Sequence, residues 1–409
     1  MFLRMCVFGL VLLLSSHVQG NPSPLLKDAA RIQAKIESLR GQAISGKLKM
    51  GIVSKPEILS FLEERIAEEY SSEEFRRAEL QLKLLELVPW DYDYRAELKS
   101  IYADQIGGFY DHKKQELYIA DWLPTFSQKP VLAHEIFHAV QVQEWKTAPL
   151  LDSKTIPTDQ LLAHQALLEG DATIVMMQYV VDGLNQDTEA LGTMLEHTKS
   201  GMMRQLGMSA KLAVFTGGSA NFANAPRYIK RALVMPYVLG AQFVWTLKTE
   251  AKMTWQQINQ VYKAPPSTTE HILSPRTYWE SRERRIAPPK LPHTAVRWTC
   301  TDKDTFGVFM ISEALDRNED HDKLPLVIRG WAGDKLLLFE SGKSSAIVHN
   351  SIWDNEVSAQ TFARTWRQRY PDTGRIFVET KGKTVIIVIS QSPSNSVSLA
   401  QELGLRTAP

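Results

Sequence analysis

The sharpest chemical signal in the chain is His134-Glu135-Ile136-Phe137-His138, two histidines four residues apart with a glutamate beside the first. On an α-helix, residues i and i+4 project from one face, so both imidazoles can bind a single tetrahedral metal ion, zinc above all. Glu135 is then placed to take a proton from water that the metal has acidified, which makes it the candidate general base. The setting strengthens the signal. Val131, Leu132, Ile136, Phe137 and Val140 make the surrounding helix apolar, and polar groups on a core-facing helix need partners that a metal ion supplies.

A catalytic zinc takes three protein ligands and keeps one position open. A continuation with a glycine and a third histidine is absent, since Gln141 and Glu144 stand at those places. The alternative is a carboxylate from a following helix. Glu169, within Ala166-Leu167-Leu168-Glu169-Gly170-Asp171-Ala172, has apolar neighbours and small flanking residues that permit close approach. His164 and Asp171 are its rivals, and Asp171 is also a candidate acceptor for the second N–H of a ligand histidine. A tetrahedral intermediate needs a donor near the metal, for which Tyr237, Tyr228 and His271 are candidates.

These residues must be held by surrounding elements. Pro130 is expected to open a helix running to about Trp145, and a second helix to run from about Asp159 to Val180. Residues 233–249 read as helical. Ahead of the motif, Ile106 to Tyr110 and Leu117 to Ala120 are strand-like runs around the polar turn Asp111-His112-Lys113-Lys114. Either run would serve as the edge strand that pairs with an extended peptide. Residues 24–90 form a charged helical lead-in, with Ser54/Glu57 and Ser71/Glu74 at capping-box spacing. Ile58, Leu59, Leu62 and Ile66 fall on one face behind the first cap; Phe75, Ala78, Leu82 and Leu85 do so behind the second.

Thr216 to Asn224 reads as loop, and the three prolines of Ile286 to Pro292 mark a domain boundary. Beyond it, Leu324–Ile328, Lys335–Phe339, Ser345–His349, Arg375–Thr380 and Thr384–Ser390 read as strands. Lys381-Gly382-Lys383 is a hairpin turn, and Val357 to Tyr370 a helix with Ala359, Phe362 and Trp366 on one face.

Composition sets the frame. With 44% hydrophobic and 23% charged residues the chain is globular, and its net charge of +1 gives no basic footprint for nucleic acid. Met1 to Arg4 followed by the apolar run Met5 to Leu14 resembles a signal peptide, with Val18-Gln19-Gly20 as a cleavage pattern before Asn21. That apolar run is shorter than the about 20 residues of a membrane span. The expectation is a secreted or periplasmic protein with no membrane span after cleavage. Cys300 is the one thiol left in the mature chain, so no intramolecular disulfide forms.

The histidine motif with its downstream glutamate resembles the gluzincin arrangement of zinc peptidases. More narrowly, the chain resembles a group of bacterial secreted metallopeptidases. The likeness is carried by Gly108-Phe109-Tyr110-Asp111, by Pro236-Tyr237-x-x-Gly240 and by Pro266-Ser267-Thr268-Thr269-Glu270. Gly330-Trp331-Ala332-Gly333-Asp334 and Trp353-Asp354 extend it over roughly residues 100–365. The chain departs where the group continues to His-Pro, because Ser274-Pro275 stands there. The resemblance implies zinc on His134, His138 and Glu169, with Glu135 as base; a peptide or protein substrate is expected because the scaffold and its cleft strand suit extended chains.

The expected fold is therefore α+β. A signal peptide (1–20) and an N-terminal helical region (21–100) precede a mainly helical, zincin-like catalytic domain with a small sheet (101–286) and a smaller α+β accessory domain (293–409). Two rival readings accompany it. One is a catalytically degenerate relative acting as an envelope chaperone or binding module. The other is a structural zinc site, completed by Cys300 or His164 as a fourth ligand.

Overall fold

The computed structural model describes residues 23–45, 48–123, 125–183, 192, 195, 220–280, 286–292, 296–316, 327–370 and 374–405. The expected signal peptide lies outside the described residues. Among those described, no helix is long and apolar enough to cross a membrane.

Helix α1 (Ser23–Arg40) leads into the short strand β1 (Lys49–Val53). Helices α2 (Lys55–Glu69) and α3 (Ser72–Leu84) start where the serines predict. The Ser54 and Ser71 N–H groups donate to Glu57 and Glu74, each at 2.7 Å. These bonds satisfy donors that a helix start leaves open. Behind them Ile58, Leu62 and Ile66, then Phe75, Ala78, Leu82 and Leu85, enter the core, with Leu59 half-buried.

Helix α4 (Tyr94–Gln105) precedes β2 (Gly108–Asp111) and β3 (Glu116–Ala120), a hairpin around the expected polar turn. β1 adds to β3 in parallel, so the sheet order is β1-β3-β2. β3 is thereby paired on both sides, which removes Leu117–Ala120 as a strand for an incoming peptide. β2 is the edge strand beside the motif helix.

That helix, α5 (Thr125–Gln143), begins five residues before Pro130. The expectation that proline opens it fails: the helix reaches back to Thr125 and carries Pro130 in its interior, losing one backbone bond and crowding the carbonyl four residues earlier. Helix α6 (Thr158–Gly183) is buried on nearly all sides, and its polar side chains His164, Gln165, Glu169 and Asp171 are buried together with the apolar ones. Residues 220–224 are helical (α7, Ala220–Asn224), not loop, and the rest of the 216–224 stretch lies outside the described residues.

Helix α8 (Arg227–Thr249) crosses α6 at Gly170 and Gly240. A Cβ on Gly240 would lie 1.9 Å from the Ala166 carbonyl oxygen, and one on Gly170 would lie 2.0 Å from the Gly240 carbonyl carbon. Only glycine at both places lets the two backbones touch. The short helices α9 (Trp255–Val261), α10 (Thr269–Leu273) and α11 (Arg276–Glu280) follow.

The C-terminal region is a five-stranded antiparallel sheet of order β4-β5-β6-β8-β7, formed by Thr299–Asp304, Trp331–Ser341, Ser344–Trp353, Thr384–Ser390 and Ile376–Lys381. Strand periodicity divides its side chains. Leu336, Leu338, Ile347, Val385 and Ile387 join the main core with α12 (Gly307–Leu315) and α13 (Glu356–Arg369). Leu337, Phe339, Ala346, Val348 and Val388 form a second core under α14 (Pro393–Glu402). Gly382 turns the last hairpin with φ of 56°. Of the expected strand 324–328, residues 327 and 328 are helical and the others lie outside the described residues. Strand β4 and helices α12 and α14 were not foreseen from the pattern.

The main core is continuous from α1 to the inner face of this sheet. Tyr370 donates to the Leu85 carbonyl at 3.0 Å and Gln81 to Asp302 at 2.8 Å, so α3 sits directly on the C-terminal region.

Candidate metal centre

His134 and His138 project one turn apart from α5, and Glu169 meets them from α6, next to the glycine at which α6 touches α8. His134 Nε2 lies 3.1 Å from Glu169 Oε2, His138 Nε2 lies 3.3 Å from that oxygen, and the two ring nitrogens are 2.9 Å apart. Ligand atoms around a tetrahedral ion with bonds of about 2.0–2.1 Å stand about 3.3 Å from one another. The triangle is the face of such a tetrahedron, slightly contracted. No fourth His, Cys, Asp or Glu joins the group among the described residues. The three residues can therefore hold a metal ion and leave a position open.

The tautomer of His138 follows from its surroundings. Gln141 donates its amide N–H groups to the Leu168 carbonyl and to Tyr262 Oη, both at 2.9 Å. A carbonyl only accepts, so the amide oxygen must face the other way, towards His138 Nδ1 at 2.7 Å. Nδ1 is then the donor, and the Nε2 lone pair points at the centre, as a ligand requires. Behind Gln141, Tyr262 donates to Asp171 at 2.6 Å, and Arg40 of α1 donates to the same carboxylate at 2.5 Å. Asp171 thus supports the centre through Tyr262 and Gln141 rather than by accepting from a ligand histidine. His134 is held differently, because its Nδ1 has no partner among the described residues.

Burial drives the His134 imidazole towards its neutral form, down to about 4, against the pull of Glu169. It acts the same way on His138, but Glu169, Glu135 and Gln141 outweigh it and lift that ring to about 9. Burial would raise Glu169, yet His138 and His134 hold it below its usual range. The trio shares a proton on the inward side of His138, where a cation would displace it. Glu135 is fully buried and pushed up to about 8 by desolvation. The Tyr110 backbone N–H is near enough to pull the other way, but neither Glu135 oxygen has a well-formed hydrogen bond among the described residues. Gly108 makes room for it: a Cβ there would lie 3.2 Å from Glu135 Cγ.

Of the other candidates, Tyr237 is at the site, its ring stacked near that of His134 with centroids 6.2 Å apart. Tyr228 is not, since its hydroxyl contacts the Met310 sulfur in the core. His271 packs against Tyr278 and accepts from the Ser267 N–H at the start of α10. His164 donates to the Leu150 carbonyl, and Cys300 sits on β4, so neither completes the trio. Sequence reasoning missed Gln141 as a support, although its i+3 spacing from His138 is a usable signal. Arg40 and Tyr262 gave none, being far away in the chain.

A cavity of about 300 Å³ opens beside the trio, touching His138 and Glu169 and walled by Tyr110, Val142, Leu151 and Leu168.

A family model for a domain of unknown function, DUF8575, matches residues 296–399 and does not reach the helix that carries His134. No curated protein matches the chain, and no solved structure does.

Proposed function

We propose that the protein is a zinc-dependent peptidase of zincin type, exported by its N-terminal segment. The observation that carries this reading is the convergence of His134 Nε2, His138 Nε2 and Glu169 Oε2 at tetrahedral spacing, with the unpartnered Glu135 carboxylate beside them. A two-histidine, one-carboxylate set with an open position is the donor set of catalytic zinc. When bound, zinc polarises a scissile carbonyl and lowers the pKa of water to about 7.

The chain's own residues supply the rest. Glu135 takes the proton from the attacking water and passes it to the leaving amine, a role that its raised proton affinity suits. An unpartnered buried carboxylate costs folding free energy, about 1–3 kcal/mol, and such a group is kept where chemistry uses it. Among the described residues β2 is paired on one side only and lies beside α5, so it is the strand to which an extended substrate would add. Tyr237 is the donor best placed towards the developing oxyanion.

The deciding experiment is metal content of the purified full chain alongside casein cleavage with and without chelator. One zinc per chain and chelator-sensitive cleavage, abolished in Glu135→Gln with zinc retained, support the reading. Zinc without cleavage in the wild type shifts it to a binding module or chaperone. A chain that takes up no zinc refutes it.

A further inference from the structure

Gln165 lies one turn before Glu169 on α6, so the two share a helix face. It lines the same cavity as Glu169, is 2% exposed, and has no hydrogen-bond partner for either carboxamide atom among the described residues. We propose that this cavity is an amide-recognition subsite, in which the Gln165 carboxamide pairs with an amide group of the substrate. The proposal rests on the peptidase reading and deepens it.

The argument is one of complementarity. A carboxamide offers a donor and an acceptor side by side, and a second amide presents the reciprocal pair. A carboxylate would satisfy only the donor and an ammonium only the acceptor. Besides His138 and Glu169 of the centre, the charged residues around the cavity, Glu69 and Asp152 against His112 and Lys154, balance in sign and select neither. Burial also pushes the Glu69 carboxyl up and the His112 imidazole down, both towards the uncharged form. A leucine would fill the position and leave nothing unsatisfied, so a purely structural role does not explain glutamine there.

Two sources present an amide: the peptide backbone beside the scissile bond, and the side chain of a substrate asparagine or glutamine. The test uses the zinc-loaded full chain, wild type and Gln165→Leu, with a series of peptide hydroxamates whose neighbouring residue is Gln, Glu or Ala. Affinities are read by calorimetry, zinc content is checked, and both metal-free proteins are melted. With zinc content unchanged, the variant should bind roughly ten- to hundredfold more weakly, the loss expected for two hydrogen bonds. A loss across all three peptides assigns the backbone, and a loss confined to the Gln peptide assigns the side chain. The metal-free variant should melt higher by about 1–3 °C, because an unpaired buried carboxamide has been removed. Equal affinities in the two proteins overturn the subsite and leave the peptidase reading standing. A variant that melts lower also overturns it, since Gln165 is then a structural residue. A wild-type chain that takes up no zinc sinks the peptidase reading by itself, and the melting comparison still judges Gln165.

Discussion

Among the described residues, two buried groups of charged side chains are built on opposite principles. Between α8 and α12, Asp316 pairs with Arg227 at 2.5 Å and with Arg231 at 3.0 Å, while Arg231 also meets Glu313 at 2.9 Å. That cluster is closed by its own cations. Between α5 and α6, His134, His138, Glu169 and Glu135 bring lone pairs together with no lysine or arginine among them. The nearby buried cation, Arg40, is already held by Asp171 and Asn259. A buried cluster that completes itself serves the fold, whereas one with no lysine or arginine of its own can hold an external cation.

The contrast can be broken from either side. Glu169→Ala should have the largest effect, lowering zinc affinity by more than the roughly hundredfold expected of a supporting residue. Equilibrium dialysis against a zinc chelator measures it. Asp316→Ala should do the reverse. It leaves Arg227 and Arg231 with Glu313 alone and costs about 3 kcal/mol in urea unfolding, with zinc affinity unchanged. If Asp316→Ala weakened zinc binding as much as Glu169→Ala, the two clusters would not be independent.

Two smaller effects sharpen the comparison. Gln141→Leu frees the His138 tautomer and should weaken zinc roughly ten- to hundredfold. Tyr262→Phe, one bond further back, should weaken it less. The same ordering should appear in zinc dissociation rates.

Glu313 provides the smallest effect and a pH test. Burial raises its carboxyl to about 7 despite the two arginines. The folded chain therefore binds this proton more tightly than the unfolded chain, whose carboxyl titrates at its ordinary value. The stability Glu313 contributes is present below about pH 4.3 and is lost as the pH rises through about 7. Gln at 313 cannot ionise, so Glu313→Gln should gain on the wild type between pH 5 and pH 8 by a few degrees of melting temperature. A gap that stays constant with pH would show that the arginines keep Glu313 ionised throughout.

Local signals made much of this legible. The capping serines began α2 and α3 where expected, alternation located most strands of the C-terminal sheet, and the histidine spacing marked the α5 face. Glu169 stood out because its neighbours were apolar and small. The misses share a cause. Strand β4, with its charged run Asp302–Asp304, and β1 are short and acquire their identity from the strands they pair with. Asp171 had the composition of a direct partner for a histidine, but Tyr262 and Gln141 stand between, which no spacing reveals.

By itself the sequence determined the donor types, their place on two helices and the need for a polar partner within an apolar helix, because these follow from local geometry and burial. Tertiary structure alone decided that Gly170 and Gly240 would let α6 and α8 touch, that Arg40 would anchor the support behind His138, and that Gln165 would face a cavity. Those outcomes join residues far apart in the chain, and packing, not local propensity, selects which of them meet.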